Sequence, residues 1–452
     1  MTSTESTDTP LARPWYRRVG PGLITACVVI GPGSIMTSST VGANKGYSML
    51  WVVVVSVTFM LVYMTMAAKL GAVSRLSPGD LIRKKAGRPL AVSVGLIVFF
   101  IAAAFQSGNN IGVAAAFETF VDSKAIVAGL VVAFNAIAIT FLFAFKNLYK
   151  VMERLMMVFV AVMLVSFAVN LLTLQPDPTA IVRGFVPSAG TIDIALLGLI
   201  GTTFVISGAF YQAYLVQQKG WSEAEVQSGI IDARVGAVIM ALITIMLMST
   251  AAAGLYTGLP LTLSDPVAVA EALEPTFGTT GKFIFCLGLF SAAYSSFLIN
   301  SMTGGFICSD GLGLGSGAHD RWPRIITALG LLAGMIVGLA TLLFDFDRTP
   351  TIIAAQAVTV VGAPLVAGVL LWLACSVDVM GKFVASPLTK IVAGMGLAIL
   401  LAMAANTAFV TLPKKVKLYR ESRHVSPSAD TSSLSVGADA LADSTTTPTA
   451  ER

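Results

Sequence analysis

Two interruptions inside long apolar stretches hold the residues whose types could do chemistry in this sequence. The first is Ile30-Gly31-Pro32-Gly33-Ser34 and the second is Ile206-Ser207-Gly208-Ala209. Pro32 lacks a backbone donor and disfavours helix at the residue before it, and the flanking glycines add backbone freedom. A helix broken there leaves carbonyls and N–H groups unpaired beside the hydroxyls of Ser34 and Ser207. Such groups bind a small solute by coordination or hydrogen bonding and are poorly suited to acid–base work. No acid–base pair, activated nucleophile or metal triad lies near them, so an enzyme is not expected. Cys27, Cys286, Cys308 and Cys375 sit in or beside apolar runs without ligand-like spacing, and neither a disulfide nor a zinc site is expected.

The elements that must position these residues follow from the distribution of charge. Of 452 residues, 56% are hydrophobic and only 12% are charged, against about 25% charged in a soluble domain. Eleven stretches carry no Asp, Glu, Lys or Arg: 19–44, 46–68, 89–117, 125–145, 155–176, 194–218, 235–264, 283–309, 325–344, 349–377 and 391–413. Each approaches or exceeds the roughly 20 residues that cross about 30 Å of hydrocarbon as a helix. They lack the period-2 alternation of barrel strands. The expected fold class is therefore all-α and integral to a membrane, with about eleven transmembrane helices.

The two interruptions fall in spans 1 and 6. If spans 1–5 and 6–10 are repeats, the odd number of crossings inverts the second relative to the first. Matched interrupted helices in an inverted repeat mark the substrate site of a secondary transporter. Glycine and proline are also common in membrane helices, and a lone kink serves packing more often than binding; it is the pairing that favours a site.

Further residues carry a resemblance. Gly20-Pro21-Gly22-Leu23, Gly31-Pro32-Gly33-Ser34 and Gly46-Tyr47-Ser48-Met49-Leu50-Trp51 together resemble the first helix of the Nramp family. Ala68-Lys69-Leu70-Gly71 and Gly79-Asp80-Leu81 look like the end of its second helix and the following loop. Gly201-Thr202-Thr203 through Leu215-Val216-Gln217 resembles its sixth helix, Leu287-Gly288-Leu289 through Gly304 its eighth, and Gln356 with Pro364 its tenth. The match runs over roughly residues 20–411. It implies proton-coupled divalent metal transport on the LeuT fold, with two inverted five-helix repeats and broken helices 1 and 6.

The departures concern the chemistry. The family's metal-binding Asp and Asn of helix 1 correspond to Gly31 and Ser34, and its Met-Pro-His of helix 6 to Val205-Ile206-Ser207. Its second helix-6 His corresponds to Gln212, and its helix-3 acids, associated with proton movement, align with Gln106 and Asn109. Candidate substrate-binding residues are thus Gly31, Pro32, Gly33, Ser34, Thr202, Val205, Ser207, Gly208 and Gln356. Gln106, Asn109, Tyr211 and Gln212 are pathway candidates, although Gln106, Ser107, Asn109 and Asn110 equally suit interhelical hydrogen bonding.

A dication stripped of its water needs carboxylates, or for softer ions thioether and imidazole. The altered site offers carbonyls, hydroxyls and amides only. No Asp, Glu or His lies inside the eleven runs, which argues against a core proton relay. Half-helix N-termini aimed at the midplane favour an anion, a zwitterion or a neutral polar solute, and Gly31, Gly33 and Gly208 should leave room for one. That is the leading expectation. The alternatives are a divalent cation (Mn²⁺, Fe²⁺ or partly hydrated Mg²⁺) and a non-transporting sensor with a vestigial site. No metal ligand and no cofactor is assigned.

The expected divisions are 1–18, a cytoplasmic N-terminal segment; 19–176, the first repeat; 177–377, the second; 378–413, helix 11; and 414–452, a basic then disordered tail. Arg75, Arg83, Lys84, Lys85 and Arg88 between spans 2 and 3, with Arg13, Arg17 and Arg18 ahead of span 1, place the N-terminus in the cytoplasm of an inner (plasma) membrane protein. Eleven spans then put the C-terminus outside, while Lys414, Lys415, Lys417, Arg420 and Arg423 favour the inside. The partners expected are the bilayer and a small-molecule or ion substrate. The net charge of +5 reads as topology signal and anionic-lipid contact, with no nucleic-acid partner.

Overall fold

The computed structural model describes residues 20–145, 147–188, 194–261, 263, 266–344, 348–411 and 413, without the side chains of 194–195, 276–277, 348–357 and 411. Arg13, Arg17, Arg18, Asp193, the 414–452 tail and the side chain of Gln356 lie outside the described residues. The described residues up to 404 cluster as one compact unit.

Among the described residues every regular element is helical. In chain order they are α1 (Pro21–Val29), α2 (Pro32–Lys45), α3 (Leu50–Val73), α4 (Pro78–Ala86), α5 (Arg88–Glu118), α6 (Lys124–Ala144), α7 (Leu148–Thr173) and α8 (Pro178–Gly184). There follow α9 (Ile194–Thr203), α10 (Ile206–Lys219), α11 (Val226–Leu255), α12 (Pro266–Leu312), α13 (Arg321–Leu343), α14 (Arg348–Cys375), α15 (Val377–Met380) and α16 (Pro387–Asn406). Ten of the described spans are long and apolar enough to cross a membrane, and the bent pair α1–α2 makes an eleventh.

Proline sets many of the starts. Pro21, Pro32, Pro78, Pro89 and Pro178 each occupy the first turn of their helix, where a missing N–H costs nothing. α10 stops at Gly220, whose left-handed φ of 78° suits glycine and returns its N–H to Val216 and Gln217. α12 bends at Gly278, also at positive φ.

Spans 1–5 are α1/α2, α3, α5, α6 and α7; spans 6–10 are α9/α10, α11, α12, α13 and α14. In both sets the first span is the broken one. α1 lies inside the bundle against α7, α10, α11 and α12, and all nine of its residues are buried. α2 keeps a partly exposed face of Gly33, Met36, Thr40 and Asn44, spaced three and four apart. α5 and α12 form the scaffold behind the break, with α13 and α14 packed on α5.

Candidate functional site

The first break lies where the sequence places it. The N–H of Ile30 still bonds Ala26 at 3.0 Å, after which Ile30 turns extended (φ −86°, ψ 96°). Gly31 is extended too, and Pro32 opens α2 at 61° to α1. The Pro32 ring seats against Gly112 of α5 so closely that a Cβ at 112 would overlap it.

The carbonyls freed at the end of α1 find side-chain donors. Val28 O accepts from Asn300 Nδ2 at 3.3 Å and Ser296 Oγ at 3.5 Å, both on α12. Val29 O accepts from the Ser34 hydroxyl, which also lies 3.4 Å from Thr202 O on α9. Thr37 Oγ1 donates to Gly33 O at 2.9 Å and sits 3.0 Å from Thr202 Oγ1. Ser34, Thr37 and Thr202 thus join the two broken spans through neutral oxygens, all three buried.

The second break is displaced from its expected place. α9 ends with Phe204 N–H on Ile200 O at 2.8 Å, Val205 turns out of helix (φ −84°, ψ 89°), and Gly208 and Ala209 already bond Val205 O. The interruption is therefore Phe204–Val205, and Ser207 and Gly208 belong to the first turn of α10. Phe204 explains the shift, since its buried ring packs on Tyr63 and Phe59 and fixes the end of α9.

The glycines need a correction as well. Gly31 and Gly208 do not leave room. A Cβ at 31 would lie 2.7 Å from Ser296 Oγ and 3.4 Å from Asn109 Oδ1, and one at 208 would lie 2.9 Å from Val28 Cγ1. Of the three, only Gly33 would take a Cβ without overlap, at ordinary contact distance (3.7 Å) from Thr202 Cγ2. The space beside residue 31, where the resemblance noted from sequence implies a carboxylate, is taken here by a serine hydroxyl and an asparagine carbonyl.

The pathway candidates divide. Gln106 Nε2 donates to Phe297 O and Asn109 Nδ2 to Gln106 Oε1, both at 2.8 Å, so Gln106 ties α5 to α12 while Asn109 turns its oxygen toward Gly31. Tyr211 is buried among Tyr214 and Phe306. Gln212 accepts from Thr25 Oγ1 at 2.5 Å and donates to Asp232 Oδ2 at 3.1 Å. An open pocket of about 460 Å³, lined by Ser74, Arg75, Ser77, Asp80, Gln217 and Trp221 among others, shares no residue with either break.

Two buried carboxylates hold helix starts, of which the sequence reading offers Asp310 only as a titratable residue at the edge of a span and does not offer Asp232. Asp232 was skipped because the seventh charge-free run starts at 235, yet α11 begins at Val226 and encloses it; Asp310, just past the eighth run, closes α12. Asp232 Oδ1 accepts Gly20 N–H at 2.7 Å and Oδ2 accepts Gly22 N–H at 2.6 Å. Asp310 accepts Ser77 Oγ at 2.6 Å, Gly79 N–H at 2.7 Å and Tyr214 Oη at 2.7 Å. Both carboxylates straddle an x-Pro-Gly start, taking a donor from the residues on either side of a proline that has no N–H to give. Two such starts, each needing an acceptor, were the available signal.

A bundle whose first and sixth spans are both broken, meeting through hydrogen-bonded backbone and hydroxyl oxygens, defines a membrane transporter of the inverted-repeat type. Residues 22–410 match the family model described as natural resistance-associated macrophage protein-like, and the chain belongs to that family, Nramp. It is 27% identical over 373 residues to the divalent metal cation transporter MntH of Pectobacterium carotovorum, covering 81% of this chain and 87% of the relative. With the MntH of Deinococcus radiodurans it shares 25% over 383 residues, covering 81% and 83%. Among solved structures it resembles the Eremococcus coleocola manganese transporter, with a TM-score of 0.73 at 19% identity over 88% of each chain, which shows the LeuT-type fold.

Proposed function

We propose that this Nramp-family transporter carries a hard divalent cation that keeps part of its hydration shell, with Mg²⁺ as the best match. The observation that carries this is the neutral, all-oxygen junction of Ser34, Thr37 and Thr202 between the broken spans. The relatives' printed function, divalent metal cation transport, favours the cation over the uncharged or anionic solute that heads the expectations from sequence. The residues decide which cation. A dehydrated transition metal would need anionic or soft ligands, and the family positions hold Gly31, Ser34, Val205, Ser207 and Gln212 instead. Mg²⁺ gives up water reluctantly and is commonly held through its waters. Carbonyl and hydroxyl oxygens have lone pairs to spare for those waters, and half-buried Gly33 puts no side chain in their way. Gly31, Pro32, Gly33, Ser34, Thr202, Val205, Ser207, Gly208 and Gln356 are the substrate-binding residues of this reading, with Asn109 beside them.

A second reading has its own support. The first turns of α2 and α10 hold no acidic residue, so their N–H groups favour a carboxylate-bearing zwitterion or a small anion.

Purified protein in liposomes loaded with a Mg²⁺-sensitive dye separates the two. Saturable Mg²⁺ entry, reduced at least about tenfold by Gly33→Leu and by Ser34→Leu, is the expected result. Mg²⁺ flux equal to protein-free liposomes, with amino-acid or organic-acid uptake sensitive to the same substitutions, would transfer the assignment to the second reading. We also propose the plasma membrane with a cytoplasmic N-terminus, supported by Arg75, Arg83, Lys84, Lys85 and Arg88 between spans 2 and 3.

A further inference from the structure

At its N-terminal end α1 is held by a buried carboxylate on another helix. Gly20 and Gly22 give their N–H groups to the two oxygens of Asp232, and Gln212 relays a further link, accepting from Thr25 of α1 and donating to Asp232. The helices otherwise meet through backbone: a Cβ at Gly22 would overlap the Asp232 carbonyl and one at Gly236 the Gly22 carbonyl. Side chains do not interdigitate at these contacts, so the carboxylate is the main polar hold there.

The surroundings include a further polar layer. Lys219 and Glu153 pair at 2.7 Å against Gly20. Tyr149 Oη, Tyr211 Oη and Gln218 Nε2 are buried and make no close hydrogen bond, with Tyr149 beside Glu153, Asp232 and Tyr211, and Tyr211 beside Gln218. Buried polar atoms grouped this loosely are where ordered water is expected. Among the described residues, the titratable and charged groups that face Asp232 are Lys219 from α10 and Tyr149 from α7, with Glu153 and Tyr211 beside Tyr149. α1 brings only the Cys27 thiol. Lys69 of α3 is partly exposed, and Arg234 of α11 and Lys150 and Arg154 of α7 are exposed.

We propose that Asp232 is a proton-binding site that latches α1, releasing this end of the helix when it takes up a proton. Ionised, its two oxygens accept three N–H donors. A proton arriving through the Tyr149–Tyr211 layer forms an O–H bond on one oxygen and turns it into a donor facing another donor, so that one clasp to Gly20 or Gly22 is lost. No other bond changes. Parting the helices and proton uptake then favour one another, as linkage requires. The acids of helix 3, which the family resemblance associates with proton movement, are Gln106 and Asn109 here; Asp232 gives this chain a titratable group of its own at the inner end of span 1. The proposal holds for either cargo.

Cys27, fully buried on α1, is a native reporter once Cys286, Cys308 and Cys375 are replaced by serine. Its labelling by a small thiol reagent, divided by the labelling of unfolded protein at the same pH, measures opening. With Asp232 present, the normalised rate is expected to rise as pH falls from 8 to 5, with a slope up to about tenfold per unit for one proton. Asp232→Asn is expected to flatten the profile, and Asp378→Asn, at an exposed carboxylate, to keep it. A flat profile with Asp232 present overturns the proposal without any Asp232 variant, and so does an unchanged slope in Asp232→Asn.

Discussion

The carboxylate of Asp232 accepts the backbone N–H of Gly22 at 2.6 Å across a sequence separation of 210 residues. Asp310 does the same for Gly79 at 2.7 Å across 231. Both clasps also reach α10, through Gln212 and Tyr214, so one half-helix is tied to two distant helix starts. The first prediction concerns the second clasp. Asp310→Ala strands three buried donors and is expected to destabilise by about 3 kcal/mol or more, whereas Tyr214→Phe removes one bond and costs about 1–2 kcal/mol. Denaturation midpoints in one detergent rank the two; equal midpoints would contradict the clasp.

Restoring the family's acid should fail unless space is made for it. Gly31→Asp drives a Cβ toward Ser296 Oγ, 2.7 Å from its ideal position, and overpacking of this kind costs about 1–3 kcal/mol. Stability is expected to recover in Gly31→Asp with Ser296→Gly, and calorimetry should detect stronger Mn²⁺ binding in the pair than in either single variant. Tight Mn²⁺ binding by unmodified protein would count against the cation argument itself.

Gly208 is a contact, not a swivel. Gly208→Ala is expected to cost about 1–3 kcal/mol through its clash with Val28, and Val28→Ala in the same chain should return at least about 0.5 kcal/mol of coupling. A double-mutant cycle on thermal unfolding reads this directly. Strict additivity would show that α1 and α10 do not meet there.

Acid should weaken the surface tie between Lys85 and Asp378, which pair at 2.8 Å. The hydrogen bond from Lys85 holds the Asp378 carboxyl below its ordinary value. A carboxyl depressed in the folded state stabilises above its unfolded value and loses that contribution as pH falls through the folded one, so the window lies below about pH 4. The midpoint difference between unmodified protein and Asp378→Asn should be present at pH 7 and shrink as pH drops below that value. A difference that grows on acidification would reverse the assigned sign.

Much of the architecture was legible because hydrocarbon leaves few options for backbone polar groups. The charge-free runs overlap every span, most to within a few residues and the seventh displaced by nine from α11, and Pro32 locates the first break. The sixth span was harder. Ile206-Ser207-Gly208-Ala209 has the composition of an interruption, but Phe204 locks its neighbours from Tyr63 and Phe59, positions far away in sequence. Gly31 was misread for a related reason: lost bulk in one chain says nothing about Ser296 filling the gap from α12. Asp232 was missed because a run counted by charge ends where a charge begins, although a helix passes through it whenever that charge has donors waiting.

The seat of the Pro32 ring on Gly112 bears on how access changes. With the apex of span 1 pressed into a notch of α5, the bend is a fulcrum, and a tilt of α1 about it leaves α2 where it is. If cargo binds at the break as proposed, access from the two sides becomes two separate events at opposite ends of one lever, one governed by the α2 face and the other by whatever grips α1.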